Sequence, residues 1–202
     1  YGKQFIDQSD IDAVINVLKS DYLTQGPTIN QFEEAFKEKV KAKFAIAVSN
    51  GTAALQLSLL SLGIGPGDEV ITTPNSFLAT SNAILYVGAT PVFVDIEMNQ
   101  FGIDVRKIEA AITKKTKGII PVHFAGFPVD LESIHEIADK YNLKVIEDSC
   151  HALGAKYKES NIGSCAYSDC STFSFHPVKH IATGEGGMIT TNSNDVYQRL
   201  LT

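Results

Sequence analysis

The hydrophobic positions of the chain follow two spacings that alternate along its length, and these spacings predict its helices and strands. Apolar residues three and four positions apart, the spacing of an amphipathic helix, recur over residues 9–19, 28–40, 52–62, 76–87, 104–112, 130–141 and 195–202. Short, nearly continuous apolar runs, typical of buried strands, occupy residues 44–48, 69–73, 91–95, 118–122, 143–147, 171–175 and 187–191. Four helices start at residues that commonly cap a first turn, namely Ser9, Thr28, Asp104 and Asp130.

The apolar runs lack polar alternation, which indicates strands that are covered on both faces. Strands of this kind, separated by helices, form a mostly parallel sheet between two helical layers. We therefore predict an α/β fold, a three-layer α/β/α sandwich around a seven-stranded sheet. The regular alternation ends after residue 175, where 11 residues without a helical pattern precede the last strand.

The composition is that of a soluble globular protein, because 44% of the 202 residues are hydrophobic and 20% are charged. The 17 basic and 23 acidic residues give a net charge of −6, which argues against a nucleic-acid or anionic-membrane partner. The chain has no membrane-spanning apolar stretch and no apolar signal region at its start, so we expect a cytoplasmic protein. Cys150, Cys165 and Cys170 lack metal-ligand spacing, which predicts free thiols and no metal site.

Three segments carry side chains suited to chemistry, and each lies where a strand ends. Residues 48–55 pass from a strand through a small-residue turn into a helix, and the amides of such a helix start attract anions. Asp148 closes an apolar strand, at the edge where parallel sheets place their sites. Ser174 ends a later strand, and Lys179 follows it before the glycine-rich residues 184–187. A lysine in such a site can attack a carbonyl as a neutral amine.

Each segment taken alone has a structural alternative. The first is compatible with an ordinary strand-to-helix turn, Asp148 with a helix cap, and Lys179 with a solvated surface charge. Together, an anion cradle, a carboxylate and a lysine on one sheet are the groups that pyridoxal phosphate requires. They supply a phosphate anchor, a partner for the pyridine nitrogen and an amine for the aldehyde.

Six motifs in order give the chain a resemblance to one protein family: residues 23–27, 49–55, 63–70, 91–95, 147–148 and 184–187. The chain resembles the sugar aminotransferases of the DegT/DnrJ/EryC1/StrS group, which are fold-type I pyridoxal phosphate enzymes. Two further segments, residues 147–155 and 174–180, look most like the branch of the family that serves pseudaminic acid biosynthesis. That branch aminates the C4 keto group of a UDP-linked 4-keto-6-deoxy-N-acetyl sugar.

The resemblance implies a role for each residue around the cofactor. Lys179 would hold pyridoxal phosphate as an aldimine, and Asp148 would pair with the pyridine nitrogen and keep it protonated. Phe77 would stack on the ring. His151 stands where family members more often have Gln, so an imidazole would contact the phenolic oxygen of the cofactor.

The resemblance also implies two groups of binding residues. Those expected at the phosphate are Gly51, Thr52, Ala53 and Ser174. Those expected at the nucleotide sugar are Tyr1, Asp21, Tyr22, Leu23, Thr24 and His176. Glutamate would donate the amino group in a ping-pong reaction, in which the cofactor is first aminated and then transfers the amine to the keto sugar.

Members of the family are nearly twice as long as this chain. The resemblance therefore implies that residues 1–202 form an N-terminal segment plus the large cofactor-binding domain, without the small C-terminal domain. It also implies a homodimer whose neighbouring subunit completes the active site. The last predicted helix carries an apolar stripe of Val196, Leu200 and Leu201, so we expect the chain to dimerise or aggregate rather than remain a monomer.

Two other functions remain open at this point. A sugar 3-dehydratase of the same family would use the same cofactor, but those enzymes have His in the place of Lys179. A cofactor-binding fragment without turnover is the second alternative. His123, at the end of a predicted strand, is expected to make a structural hydrogen bond rather than a substrate contact.

Overall fold

The strands and helices follow the predicted order in the structure, a computed structural model that describes residues 4–202. The helices of these residues are α1 (Gln8–Leu18), α2 (Pro27–Val40), α3 (Gly51–Ser61), α4 (Ala79–Tyr86), α5 (Val105–Ala111), α6 (Leu131–Tyr141) and α7 (Asn194–Leu200). The strands are β1 (Phe44–Val48), β2 (Glu69–Thr72), β3 (Thr90–Phe93), β4 (Thr116–Ile120), β5 (Lys144–Asp148), β6 (Lys156–Tyr157), β7 (Ser160–Asn161), β8 (Cys170–Ser174) and β9 (Gly187–Thr191). A single 3₁₀ turn, Phe124–Gly126, follows β4.

One seven-stranded sheet organises the described residues, in the order β1-β9-β8-β5-β4-β2-β3. The strands from β3 to β8 in this order run parallel to their neighbours. β9 is antiparallel to both β1 and β8. The predicted seven-stranded, mostly parallel sheet is therefore confirmed, and the carboxyl ends of its parallel strands meet at one edge.

Helices cover the sheet on both faces, because successive residues of a strand point to opposite sides. Ile119 and Val145 belong to the apolar cluster that contains residues of α2, α5 and α6. Their neighbours Ile120 and Ile146 belong to a second cluster, with residues of α3, α4 and α7. This arrangement confirms the three-layer α/β/α sandwich.

Two helix starts differ from the predicted caps. Asp7 rather than Ser9 caps α1, because the Asp7 carboxylate accepts hydrogen bonds from two first-turn amides. α2 begins at Pro27, whose fixed φ and missing N–H suit the first position of a helix, so Thr28 lies inside the helix. The predicted caps of α5 and α6 are confirmed.

Two local features were not predicted from the sequence. Residues 76–78 form a turn rather than the first turn of a helix, so α4 begins three residues later than predicted. β6 and β7 form a small separate antiparallel hairpin. Their two-residue, largely polar strands are too short to produce a periodic pattern.

The last helix packs on the sheet over most of its apolar stripe. Val196 is buried, Leu200 is partly buried against the cluster of α3 and α4, and Leu201 is exposed. The stripe is therefore mostly covered within the chain, which leaves less apolar surface at α7 than the sequence predicts. No helix within residues 4–202 is both long and apolar enough to cross a membrane. The same residues hold no group of three or more His, Cys, Asp or Glu side chains arranged to bind a metal ion.

Candidate active site

Three strand ends meet at the carboxyl edge of the sheet, where the sequence predicts a site. β1 leads through Asn50 into α3, β5 ends at Asp148, and β8 ends at Ser174. A Cβ atom placed on Gly51, the first residue of α3, would lie 2.9 Å from Ser174 Cβ and 3.3 Å from Cys150 Sγ. Glycine at this position therefore lets the start of α3 approach the end of β8 closely.

The first turn of α3 presents backbone amides where the sequence predicts an anion site. Asn50 caps the helix, and its Oδ1 accepts a hydrogen bond from the Ala53 amide at 2.8 Å. The amides of Gly51 and Thr52 also belong to the first turn and have no acceptor within the helix. An anion at this helix start would therefore meet the amides of Gly51 and Thr52 before that of Ala53, close to the Ser174 hydroxyl.

Asp148 is buried at the end of β5, with 6% of its surface exposed. The Thr80 hydroxyl donates to Asp148 Oδ2 at 2.7 Å, and the Cys150 amide donates to Oδ1 at 3.3 Å. No ion pair within residues 4–202 involves this carboxylate. A buried carboxylate that forms no ion pair is energetically costly, so the arrangement favours a cationic ligand at this position.

Lys179 is half-buried in the loop that joins β8 to β9. Its amide donates to the His176 carbonyl oxygen at 2.8 Å. The base of the loop is closed by the Phe175 amide, which donates to the Gly186 carbonyl oxygen at 2.8 Å. The Gln4 side chain also donates to the carbonyl oxygen of Pro177 in this loop. These contacts give the Lys179 segment a defined course without a helix or strand.

Electrostatic effects connect Lys179 with the end of β5. Burial raises the pKa of the Cys150 thiol well above its ordinary value, the Asp148 charge adds to the shift, and the Lys179 charge opposes it. The pKa of His151 is lowered, first by burial and then by the Lys179 charge. The four side chains therefore share one electrostatic environment. The sequence predicts this for Lys179, Asp148 and His151, but not for Cys150.

Glu147 precedes Asp148 but points to the opposite face of the sheet, where hydrogen bonds from two side chains satisfy its carboxylate. His123 Nε2 lies 2.8 Å from a Glu147 carboxylate oxygen, and the Ser168 hydroxyl donates to the other oxygen. Since the Val129 amide donates to His123 Nδ1 at 3.3 Å, Nε2 carries the proton that is donated to Glu147. The prediction that His123 makes a structural hydrogen bond is confirmed.

Phe77 lies in the turn before α4 and is 74% exposed. This turn and the start of α4 each bring a hydroxyl group to the site, and neither is predicted from the sequence. Ser76 Oγ lies 2.6 Å from Thr80 Oγ1, and Thr80 in turn binds Asp148. In the sequence, the only indication of the contact between Ser76 and Thr80 is their four-residue separation, the spacing of neighbours on one side of a helix.

The residues expected at the nucleotide sugar are less closely joined to this cluster. Residues 21–24 are exposed in the connection between α1 and α2, and no hydrogen bond within residues 4–202 links them to Asp148 or Lys179. His176 is exposed beside Lys179, and its Nδ1 accepts a hydrogen bond from the Val178 amide at 3.4 Å. The predicted contact of Tyr1 lies outside the described residues.

Two cavities of about 320 Å³ each are lined by none of Gly51, Asp148, Ser174 and Lys179. One is lined by His135, Tyr167 and Asp169 among others, and the second by residues that include Glu97 and Arg106. Neither cavity is lined by a phosphate-binding helix start, a buried carboxylate and a lysine together. The chemistry of the strand ends, rather than the size of a cavity, therefore identifies the candidate site.

The chain is similar in sequence and in structure to known aminotransferases. Residues 4–202 match the DegT/DnrJ/EryC1/StrS aminotransferase family model. GDP-perosamine synthase of Caulobacter vibrioides is 45% identical over 196 residues, which cover 96% of this chain and 52% of that protein. NtdA of Bacillus subtilis, solved with bound cofactor PMP, has 40% identity and a TM-score of 0.89, with 96% of this chain and 45% of that chain covered. Helicobacter pylori PseC, an aminotransferase of pseudaminic acid biosynthesis, has 38% identity and a TM-score of 0.93, with 100% of this chain and 54% of that chain covered.

These findings bear on both the cofactor and the extent of the chain. PMP is the amino form of pyridoxal phosphate, so the expected cofactor is the one seen in a solved relative. The chain spans about half the length of the curated relatives it matches. From the sheet order, the strand-end residues and a family match over residues 4–202, we conclude that the chain belongs to the DegT/DnrJ/EryC1/StrS aminotransferase family.

Proposed function

We propose that this chain is the cofactor-binding part of an aminotransferase that moves an amino group from glutamate to a nucleotide-linked keto sugar. The observation that carries the proposal is the Asp148 carboxylate, which is buried without a basic partner in residues 4–202. It lies on the sheet edge that also carries Lys179 and the first turn of α3. A pyridinium nitrogen is a cation of the kind that this carboxylate lacks.

The residues at the strand ends fit pyridoxal phosphate. The amides of Gly51 and Thr52 and the Ser174 hydroxyl can donate to a phosphate, and the absence of a side chain at Gly51 keeps this cradle narrow. Asp148 would bind the protonated ring nitrogen, and Lys179 would attach to the aldehyde carbon. When bound, the cofactor supplies an electron-withdrawing ring that stabilises negative charge on the substrate carbon.

The remaining side chains complete this proposed site. Phe77, exposed in the turn before α4, has a free aromatic face for stacking on the ring. His151 would contact the phenolic oxygen as a neutral imidazole, because burial and the Lys179 charge lower its pKa.

The chain's own acid–base chemistry centres on Lys179. With the cofactor bound, the free amine of Lys179 would take a proton from the reacting carbon of the substrate and return it. The Asp148 carboxylate would hold the protonated ring nitrogen by opposite charge. The same residues would act on the amino donor and on the keto sugar in turn, as a ping-pong reaction requires.

The substrate class rests on the relatives. GDP-perosamine synthase and the aminotransferase of pseudaminic acid biosynthesis are both named for amino sugars. We propose a UDP-linked 4-keto-6-deoxy sugar, as in the pseudaminic acid branch, bound by Tyr1, residues 21–24 and His176. The exposure of residues 21–24 leaves their side chains available for such a ligand.

We further propose that the active protein is a cytoplasmic homodimer with shared active sites and that a small C-terminal domain complements this chain. Exposed apolar side chains on the outer surfaces of α3 and α4 support an interface there: Leu57, Leu60, Leu85 and Tyr86. Phe77 and Leu78, which precede α4, are also exposed. Sedimentation at increasing protein concentration tests the dimer, and a monomer at all concentrations contradicts it.

Borohydride reduction in the presence of pyridoxal phosphate, followed by peptide mass spectrometry, tests the cofactor assignment. We expect the label on Lys179 and its loss in Lys179→Arg. Lys158→Arg is the matched control, because Lys158 is an exposed lysine that pairs with Glu132. A label on Lys156 or Lys158 in place of Lys179 contradicts the proposed site. Amination of a UDP-linked keto sugar, with glutamate as donor, then tests the substrate.

A further inference from the structure

A chain of two hydroxyl groups ends on the Asp148 carboxylate. Thr80 lies in α4 with 1% of its surface exposed, and its Oγ1 is 2.7 Å from Asp148 Oδ2. Ser76 Oγ lies 2.6 Å from the same Thr80 oxygen. Both distances are typical of hydroxyl hydrogen bonds, so the three side chains form a continuous path from the turn before α4 to the sheet edge.

The direction of these hydrogen bonds follows from the charge of the carboxylate. An ionised carboxylate only accepts, so the Thr80 hydroxyl must donate its single hydrogen to Asp148. Thr80 can then only accept from Ser76, which makes Ser76 the donor of the second bond. Hydrogen bonds aligned in this way polarise one another, and a bond to a charged acceptor is stronger than a bond between neutral groups.

The other contact of the carboxylate comes from a different element. The Cys150 amide donates to Oδ1 at 3.3 Å, a longer distance than the 2.7 Å of the Thr80 bond to Oδ2. The Thr80 bond is therefore the closer of the two constraints on the orientation of Asp148. It also connects β5 with the segment that carries Phe77, through a side chain that is fully enclosed.

We propose that Thr80 is a positioning residue that holds the Asp148 carboxylate toward the ring nitrogen of the cofactor, and that Ser76 orients Thr80. The proposal rests on the proposed function, since it concerns the same cofactor. It predicts that the orientation of Asp148 depends on a hydroxyl at position 80 and not on the bulk of the side chain. Serine at this position retains the donor, whereas valine retains the shape without it.

A double-mutant cycle in the cofactor-free protein tests the contact itself. Thr80→Val and Asp148→Asn each preserve side-chain shape, and their effects on the melting temperature are compared with that of the double variant. We expect the double variant to differ from the sum of the single changes, because both substitutions alter one hydrogen bond. Additive changes in melting temperature overturn the proposal, and this result does not depend on cofactor binding.

Cofactor titration, followed by absorbance, tests the positioning role. We expect Thr80→Val to weaken the binding of pyridoxal phosphate about tenfold, the size expected for one hydrogen bond to a charged group. The pH at which the absorbance of the bound cofactor changes should shift in Thr80→Val, and Thr80→Ser should restore both readouts. Ser76→Ala should produce a smaller loss of affinity.

Thr190→Val is the matched control for the loss of a buried hydroxyl. Thr190 is fully buried on β9, and its Oγ1 donates to the Gly163 carbonyl oxygen at 2.7 Å, away from the strand ends that form the site. The proposal is overturned if Thr80→Val binds the cofactor as tightly as Thr190→Val does. If the unmodified protein forms no reducible adduct on Lys179, the proposed function fails, whereas the cycle in the cofactor-free protein still decides the Thr80 contact.

Discussion

Glu147 and Asp148 are adjacent on β5 and almost equally buried, yet their surroundings differ in kind. Glu147 faces the helical layer of α2, α5 and α6, where His123 and Ser168 bind its two oxygens. Asp148 faces the layer of α3 and α4, where its neighbours are the Thr80 hydroxyl and a backbone amide. A one-residue step along a strand therefore separates a carboxylate with a basic partner from one without such a partner in the described chain.

The difference shows what distinguishes a structural charge from a binding charge. The Glu147 network satisfies its own polar groups and ties β5 to the loop after β4. Asp148 has hydrogen-bond donors that orient it but no cation within residues 4–202 that neutralises it. Burial alone would assign both residues to the same class, whereas the identity of their partners separates them.

The largest expected effect is the loss of reaction rate in Asp148→Asn. An amide cannot stabilise the protonated ring nitrogen as a carboxylate does, so we expect the half-reaction with glutamate to slow about a thousandfold or more. In cofactor-free protein, the same substitution removes an uncompensated buried charge, and the melting temperature should stay constant or rise. Stopped-flow absorbance and thermal unfolding measure the two effects.

A rate within about tenfold of the unmodified protein, in a variant that retains cofactor, would show that Asp148 serves only as a structural residue. A large loss of stability in the cofactor-free variant would also contradict the comparison. The rate is measured in protein that has been shown to hold the cofactor, and the stability in the cofactor-free form of the same protein.

Glu147→Gln should have the opposite balance of effects. A glutamine side chain has one acceptor oxygen and cannot accept from both His123 and Ser168 as the carboxylate does. We therefore expect the free energy of unfolding to fall by about 2–3 kcal/mol. The cofactor affinity of the folded variant should change little, because Glu147 lies on the other face of the sheet. Urea unfolding and cofactor titration measure these quantities.

Glu132→Gln is the matched control for Glu147→Gln. Glu132 and Lys158 form an ion pair in which both side chains are 52% exposed, so its loss should cost less than about 1 kcal/mol. Equal effects of the two substitutions would mean that burial of the Glu147 network adds nothing to stability.

The smallest expected effect concerns His151 and pH. Burial, followed by the Lys179 charge, lowers the pKa of His151 in the folded protein. The unfolded chain therefore binds a proton at higher pH than the folded chain does. The resulting stability is present above the ordinary histidine pKa and is lost as the pH falls through the lowered value.

We expect the melting temperature of cofactor-free protein to fall between about pH 7 and pH 5, and His151→Gln to reduce that fall. His135→Gln, at an exposed histidine on α6, is the control for the general effect of removing an imidazole. An identical pH dependence in unmodified protein and His151→Gln would contradict the assigned environment of His151.

The sequence predicts the fold well because the sheet is covered on both faces. Apolar runs such as residues 118–122 and 143–147 clearly indicate buried strands. Their predicted positions agree with those of β4 and β5 within two residues. Helix starts are harder to predict, because several capping residues compete locally. Asp7 caps α1 instead of Ser9, which lies two residues further on.

The candidate site is predicted in part, for a different physical reason. Asp148 and Lys179 can be identified because their types and their positions after strands are unusual together. Thr80 cannot, since a threonine within a helix carries no signal of the carboxylate that another element brings to it. The Asn50 side chain likewise occupies the Ala53 amide, so the amides of Gly51 and Thr52 are the ones left available. The sequence does not predict this, because it depends on the conformation of one side chain.

The position of β9 between β1 and β8 has a consequence for how the chain folds. Gly187 pairs with both Val48 and Ser174, so the turn that starts α3 is fixed against the sheet by a strand about 140 residues later. Pairing over such a separation in sequence is slow to form, and it cannot take place until the later strand has been synthesised. A nascent chain therefore carries β1 and α3 without their final neighbour while about 140 further residues are synthesised. The first turn of α3 reaches its final support in the sheet only after β9 has paired with β1 and β8.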